Sequence, residues 1–365
     1  MEGTGASTLR FISQPQELSR VLPLDGETRE EIERVARVYP FRVPEFYANL
    51  IDPDDPACPL RLQAVPSILE LSPEGVEDPL AEESISPTPT FLKRYPKRGV
   101  FLVGSECAMY CRFCNRKRLV GRTRLSGPSR EQTLSHIEKD KELREVILSG
   151  GDPFMLDPAE LDHILSRLRA MRHVEVIRIS TRFPAVFPTG IQEGHTAALR
   201  RYGPLWTIIH VNHPKEISPE FLEAARRLRD AHAILLSQTV LLRGVNDCHH
   251  ILGLLFEKLV SAGIKPYYLF QLDEVRGAAH FKVPIAAGLT IIRALRRSVS
   301  GLCMPHYAID LTGGLGKVPL ENSYVKRVER GQVFVENLWG TVARYTDSPY
   351  QSRCEACGEC VDKKG

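Results

Sequence analysis

The sequence predicts an α/β chain whose centre is a partial barrel of parallel strands. Two observations carry that prediction. Short apolar, strand-like runs alternate with amphipathic, helix-like runs, which is the mark of repeated βα units around a parallel sheet. The residues with chemical character fall at or near the ends of those apolar runs, where βα barrels keep their functional loops. With 365 residues, the chain can bury a core of that size.

Taken in order, residues 1–90 read as a helical, loop-rich region. Arg29 to Val38 spaces Ile32, Val35 and Val38 for one helix face, and frequent prolines from Val43 to Pro96 oppose long regular elements. Residues 91–315 form the expected barrel. Its strands are expected at Val100–Val103, Val146–Leu148, Val174–Ile179, Trp206–Val211, Ile234–Leu242, Tyr267–Gln271 and Tyr307–Leu311. Helices are expected at Ser129–Lys139, Pro158–Ala170, Pro219–Ala231, His249–Ala262 and Ile285–Ser298. Residues 316–365 hold a β-hairpin over Val333–Tyr345, turning at Trp339-Gly340, and then a cysteine-bearing tail.

Composition excludes several classes. A net charge of +3, from 48 basic and 45 acidic residues, argues against a nucleic-acid partner held on a broad basic face. No run of eighteen apolar residues occurs, and charged residues interrupt the first thirty, so neither a membrane span nor a signal peptide is expected. The nine cysteines cluster as ligand sets do in a reducing compartment, which points to the cytoplasm.

The most informative cluster is Cys107, Cys111 and Cys114 in C-A-M-Y-C-R-F-C, directly after an apolar run. A four-iron cubane normally takes four thiolates, so three leave one iron open to a small molecule, and S-adenosylmethionine could bind there and be cleaved to a carbon radical. Structural zinc instead closes its shell with four ligands, commonly in two-plus-two spacing. Gly150 and Gly151, in S-G-G-D after Val146-Ile147-Leu148, let backbone approach a ligand or simply turn the chain. Lys317 follows three glycines in D-L-T-G-G-L-G-K, as a Schiff-base lysine beside a bound cofactor requires, although a flexible loop with an exposed lysine has the same composition. Arg94, Tyr95 and Arg98 offer forks for phosphate and a ring for packing, or form an exposed basic turn.

C-A-M-Y-C-R-F-C-N-R-K-R resembles the lysine 2,3-aminomutase family of radical S-adenosylmethionine enzymes, and the resemblance extends from about Asp52 to about Cys360. It implies an open (βα)6 crescent and three cofactors. Cys107, Cys111 and Cys114 would hold a 4Fe–4S cluster; Gly150, Gly151 and Gln238 would hold S-adenosylmethionine. Arg94, Tyr95 and Arg98 would hold pyridoxal 5′-phosphate, with Lys317 as its Schiff-base lysine. Asp273 and Asp310 would bind the distal ammonium of the substrate and Arg116 its carboxylate, which favours lysine over glutamate because a buried ammonium needs carboxylates to offset desolvation. Phe270 stands where the lysine enzymes carry tyrosine, and Arg276 departs from their sequence, leaving room for arginine or for lysine destined for a translation factor. The tail cysteines Cys354, Cys357 and Cys360 would form a zinc site closed by a neighbouring subunit's Cys248, which implies a homo-oligomer; their spacing also admits an auxiliary iron–sulfur cluster. The expected partners are an amino acid and an electron donor such as flavodoxin or ferredoxin. A non-enzymatic iron–sulfur or zinc protein is the remaining alternative, opposed by Lys317, Asp273, Asp310 and the glycine pair together.

Overall fold

The computed structural model describes residues 11–122, 127–329 and 332–347. Its centre is a nine-stranded sheet. The strands, in chain order after the short pair β1 (Phe11–Ile12) and β2 (Val43–Pro44), are β3 (Phe91–Tyr95), β4 (Arg98–Gly104), β5 (Glu145–Gly150), β6 (Val176–Thr181), β7 (Leu205–His210), β8 (Ala233–Leu241), β9 (Lys265–Gln271), β10 (His306–Leu311) and β11 (Gly316–Pro319). β4 to β10 lie side by side in sequence order and pair in parallel. The antiparallel strands β3 and β11 form the two edges.

Every apolar run expected as a strand is one, and each expected barrel helix is present, within a few residues at the ends. The first six parallel strands are the βα crescent; β10 extends it by one. Apolar, β-branched stretches such as Val146-Ile147-Leu148 suit strands covered on both faces. Helices such as Pro158–Ala170 and Pro219–Asp230 start on side-chain caps from Asp157 and Ser218, with proline at the first turn, and bury one apolar face against the sheet. The helix Glu193–Arg201 is an addition to the expected set.

The sheet curls until its edges approach each other. The backbone N of Lys317 on β11 donates to the Tyr95 hydroxyl on β3 at 2.9 Å. The N-terminal region does not stand apart: Leu18, Ile32, Tyr47 and Leu60 share one continuous core with Phe101, Val146, Ile177 and Leu235 of the barrel.

Residues 1–320 form one compact unit and 321–365 a second. Within the second, β12 (Val325–Glu329), β13 (Gln332–Glu336) and β14 (Val342–Thr346) make an antiparallel sheet. The expected hairpin is thus two of three strands; β12, exposed on both faces, carries no burial pattern to reveal it. The helices of the described residues include none long and apolar enough to cross a membrane.

Candidate active site

One cavity of about 390 Å³ lies inside the crescent. It collects Cys107, Cys111, Cys114, Gly151, Gln238, Arg94, Tyr95, Arg98, Arg116, Asp273, Asp310 and Lys317, so nearly all residues singled out in the barrel sequence meet there. Gly150 is excluded from the lining and Cys248 lies elsewhere, just before the helix His249–Ser261. Cys354, Cys357 and Cys360 lie outside the described residues.

The cysteine loop leaves β4 and folds back under the N-terminal region. The N of Tyr110 donates to Arg42 O and the N of Arg112 to Gln63 O. A buried triad anchors the loop: Glu70 accepts from Arg112 Nη2 and from Lys117 Nζ, both at 2.6 Å. Burial alone would raise the Glu70 carboxyl, but the two cations outweigh it and hold it below the usual range. The cost of losing water holds the three cavity thiols protonated: burial, then Asp152 and the neighbouring thiols, pushes Cys107 well up, while burial takes Cys114 to about 11. Binding iron would replace those protons. No three His, Cys, Asp or Glu side chains among the described residues are gathered as ligands for a single ion. A cubane asks for something else, one thiolate on each of three irons, and three thiols facing one cavity fit that demand.

The glycine pair has a local cause. At φ +111°, Gly150 occupies a backbone region that L side chains avoid, and a Cβ there would sit 2.3 Å from Gly104 O. On Gly151 a Cβ would lie 2.1 Å from Glu106 O. The pair therefore lets the end of β5 press against the start of the cysteine loop, where Gly151 N donates to Gly104 O at 2.6 Å and Asp152 N to Glu106 O at 2.8 Å. Burial lifts Asp152 to about 6 although it accepts from Thr181 Oγ1 and from the N of Arg182 and of Phe154. Gln238 is beside His210 in the β7–β8 register. Burial and the nearby Arg182 hold His210 neutral, near 3.

At the other side of the cavity, Asp310 and Lys317 face each other across the β10–β11 pair, with Lys317 Nζ donating to Asp310 Oδ2 at 2.5 Å. The same Nζ sits 3.9 Å from the centroid of the Phe270 ring. Asp273 receives a hydrogen bond from Asn115 Nδ2 at 2.9 Å. Burial first, and the Asp310 charge second, lift Asp273 to about 7. The floor is basic: Arg98 covers the Tyr95 ring at 3.9 Å, Arg94 Nη2 donates to Leu80 O, and the buried Arg94 Nε has no hydrogen-bond partner among the described residues.

Arg116 is not a free fork. Its Nε and Nη2 donate to the buried Glu82 carboxylate at 3.0 and 2.8 Å, leaving Nη1 directed at Ser149 Oγ at 3.4 Å. Sequence reasoning missed Glu82, Asn115 and Arg178, which also line the cavity. Only the cavity links them: Glu82 is 34 residues from Arg116, and Asn115 is 158 from Asp273.

The pattern of the Radical SAM superfamily matches residues 101–255, the stretch that contains the cysteine loop and the first strands. Over 358 residues the chain is 38% identical to the L-lysine 2,3-aminomutase of Clostridium subterminale, covering 97% of this chain and 86% of that protein. It is 40% identical to a putative L-lysine 2,3-aminomutase of Aquifex aeolicus, covering 90% of each. It is 33% identical to the glutamate 2,3-aminomutase of Clostridioides difficile, covering 93% of this chain and 81% of that protein. Radical S-adenosylmethionine enzymes use a 4Fe–4S cluster and S-adenosylmethionine, act here on a small molecule and draw an electron from a donor. The fold, the three-thiol cavity and the near-full-length identity agree that the chain belongs to the lysine 2,3-aminomutase family of radical S-adenosylmethionine isomerases.

Proposed function

We propose that the chain converts L-lysine to β-lysine, moving the amino group from C2 to C3 with S-adenosylmethionine, a 4Fe–4S cluster and pyridoxal 5′-phosphate. The observation that carries this reading is the pair Asp273 and Asp310 at the end of the cavity, beside Lys317. A distal ammonium entering there offsets both the burial and the Asp310 repulsion that together lift Asp273 to about 7. A distal carboxylate would add a third negative charge to the same space. Carboxylate pairing is thus the selective step.

Cys107, Cys111 and Cys114 are the residues to hold the cluster, with Gly151 and Gln238 beside it for S-adenosylmethionine. Gly150 acts through the backbone packing that its glycine permits. Lys317, with its nitrogen over Phe270, is the residue to carry pyridoxal phosphate, and Arg94 with Arg98 supplies cations for its phosphate. The orphaned Arg94 Nε fits a group that brings its own acceptor oxygens. When bound, the cluster and S-adenosylmethionine supply the radical that removes hydrogen, and pyridoxal phosphate supplies the conjugated system across which nitrogen moves. The protein's part is placement. Arg116 Nη1 is the donor left for the substrate carboxylate once Glu82 has fixed the rest of the fork. Apolar walls from Phe113, Ile208 and Leu272 keep water from the reacting carbons.

Cys248 with the tail cysteines, as a zinc site joining subunits, belongs to the same reading and is checked by zinc content and native mass. The substrate assignment is tested by competition. Lysine, arginine, ornithine and glutamate supplied together to the reconstituted protein should give β-lysine as the main product, and a dominant β-glutamate would reverse it.

A further inference from the structure

Arg182 also lines the cavity, but the proposed reading gives it no contact with the amino acid, and its guanidinium is held by three hydrogen bonds within the protein. It follows β6 and buries its guanidinium beneath the cysteine loop. Nη1 donates to Cys111 Sγ at 3.0 Å; Nη2 donates to Gln63 Oε1 at 2.8 Å and to Glu216 Oε1 at 2.6 Å. The face of the group stands 5.1 Å from the centroid of Phe113. Glu216 is itself fully buried and accepts from the Tyr47 hydroxyl at 2.9 Å and from the N of Asn212 and of His213 at 2.6 and 2.9 Å. Asn212 Nδ2 closes the network on Gln63 at 3.0 Å.

The three thiols are treated unequally. Cys114 Sγ accepts from the backbone N of Arg116 at 3.4 Å. The groups around Cys107 are acidic, Asp152 and Glu106 with the other thiols. Cys111, by contrast, accepts from a cation, the Arg182 guanidinium. A carboxylate placed behind the guanidinium restrains it in one orientation, since the fork must satisfy Glu216 and the sulfur at once.

We propose that Arg182, locked by Glu216, is a positioning residue that orients the Cys111 thiolate and raises the reduction potential of the cluster held by that thiolate. Resting on the assignment of the cysteine triad to a 4Fe–4S cluster, it goes beyond the amino acid chemistry. Reduction transfers one electron from a low-potential one-electron donor of the ferredoxin or flavodoxin class, which is oxidised by one electron, and adds one negative charge to the cluster. A buried cation donating to a ligand sulfur stabilises the reduced form more than the oxidised one. Glu216 fixes the geometry and cancels part of the charge, so the hydrogen bond is directed while the local field stays moderate.

The test uses the full chain with its cluster reconstituted anaerobically, without S-adenosylmethionine or amino acid. Iron and sulfide content are measured first; then the cluster is titrated potentiometrically and read by electron paramagnetic resonance. Arg182→Met should lower the ratio of reduced to oxidised cluster at a fixed solution potential by about tenfold, equal to ~59 mV for one electron. Because Arg182→Met strands the Glu216 carboxylate, Arg182→Met/Glu216→Gln is the second variant, and it too should titrate below the native protein. Arg182→Lys keeps the charge without the two-armed reach and should fall between the native protein and Arg182→Met. It carries the test if neither methionine variant holds iron. A native potential and unchanged resonance in the variants that carry a full cluster would overturn the proposal.

Discussion

Replacing Asp310 by asparagine removes one charge from the cavity and should be felt in two separable ways. In the proposed reading Asp310 is one of the two carboxylates facing the distal ammonium, and a hydrogen bond between charged partners is worth about 1.5–3 kcal/mol. Lysine kcat/KM should therefore fall by about 10- to 150-fold. The second effect is on pH. In the free enzyme burial, then the Asp310 charge, holds Asp273 near 7. If Asp273 binds the ammonium as proposed, it does so only when ionised, so activity should be present above that value and lost as pH falls through it. At one unit below, about a tenth of the molecules carry the charge, and kcat/KM should be about tenfold under its plateau. Without the Asp310 charge the raising contribution of that neighbour disappears, and the acid limb should move to lower pH, still short of an exposed aspartate because burial remains. The assay is kcat/KM against pH for both proteins, with cofactors saturating and lysine limiting. A variant with native kcat/KM, or one whose acid limb coincides with the native limb, would refute the pairing of Asp273 with Asp310 at the substrate ammonium.

Three other outcomes follow from the same structure. Lys317→Ala should lose the absorbance of bound pyridoxal and all turnover while iron content stays native; retained pyridoxal absorbance would remove Lys317 from its role. Gly151→Ala forces a Cβ to within 2.1 Å of Glu106 O, so the junction of β5 with the cysteine loop must open and cluster content on reconstitution should drop; native iron and sulfide would contradict that packing argument. Glu70→Ala leaves Arg112 and Lys117 buried without their anion and should cost about 3–5 kcal/mol in chemical denaturation of the cluster-free chain. Since the folded-state carboxyl of Glu70 is held below its usual value, this contribution is present at neutral pH and lost as pH falls through that lowered value. An Glu70→Ala midpoint equal to the native one would show the triad to be idle.

Much of this site was readable because its residues are close in sequence or sit at fixed places in a repeating fold. Cys107, Cys111 and Cys114 share one loop, and Asp310 and Lys317 meet through a short antiparallel turn between adjacent strands. The parallel strands declared themselves as apolar runs because both of their faces are covered. β3 did not, since Phe-Leu-Lys-Arg-Tyr at a sheet edge mixes buried and half-exposed positions, and the helix Glu193–Arg201 offers only a short, weakly apolar face. The supporting side chains were hidden for a different reason. Glu216 reaches Tyr47 across 169 residues, and Arg182 reaches Gln63 across 119, so no local pattern marks them. The occupied fork of Arg116 is of the same kind: its charge was legible, its partner Glu82 was not.

The measurement that bears most directly on the central claim is the fate of the nitrogen. The anaerobically reconstituted protein would be given L-lysine labelled with nitrogen-15 at the α-amino group, in the presence of unlabelled ammonium, with S-adenosylmethionine, pyridoxal phosphate and reductant. Chiral mass spectrometry should find β-lysine carrying the label at C3, and omission of any one cofactor should abolish it. Reductive cleavage of S-adenosylmethionine by an intact cluster with no labelled β-lysine formed would contradict the assignment of lysine as substrate.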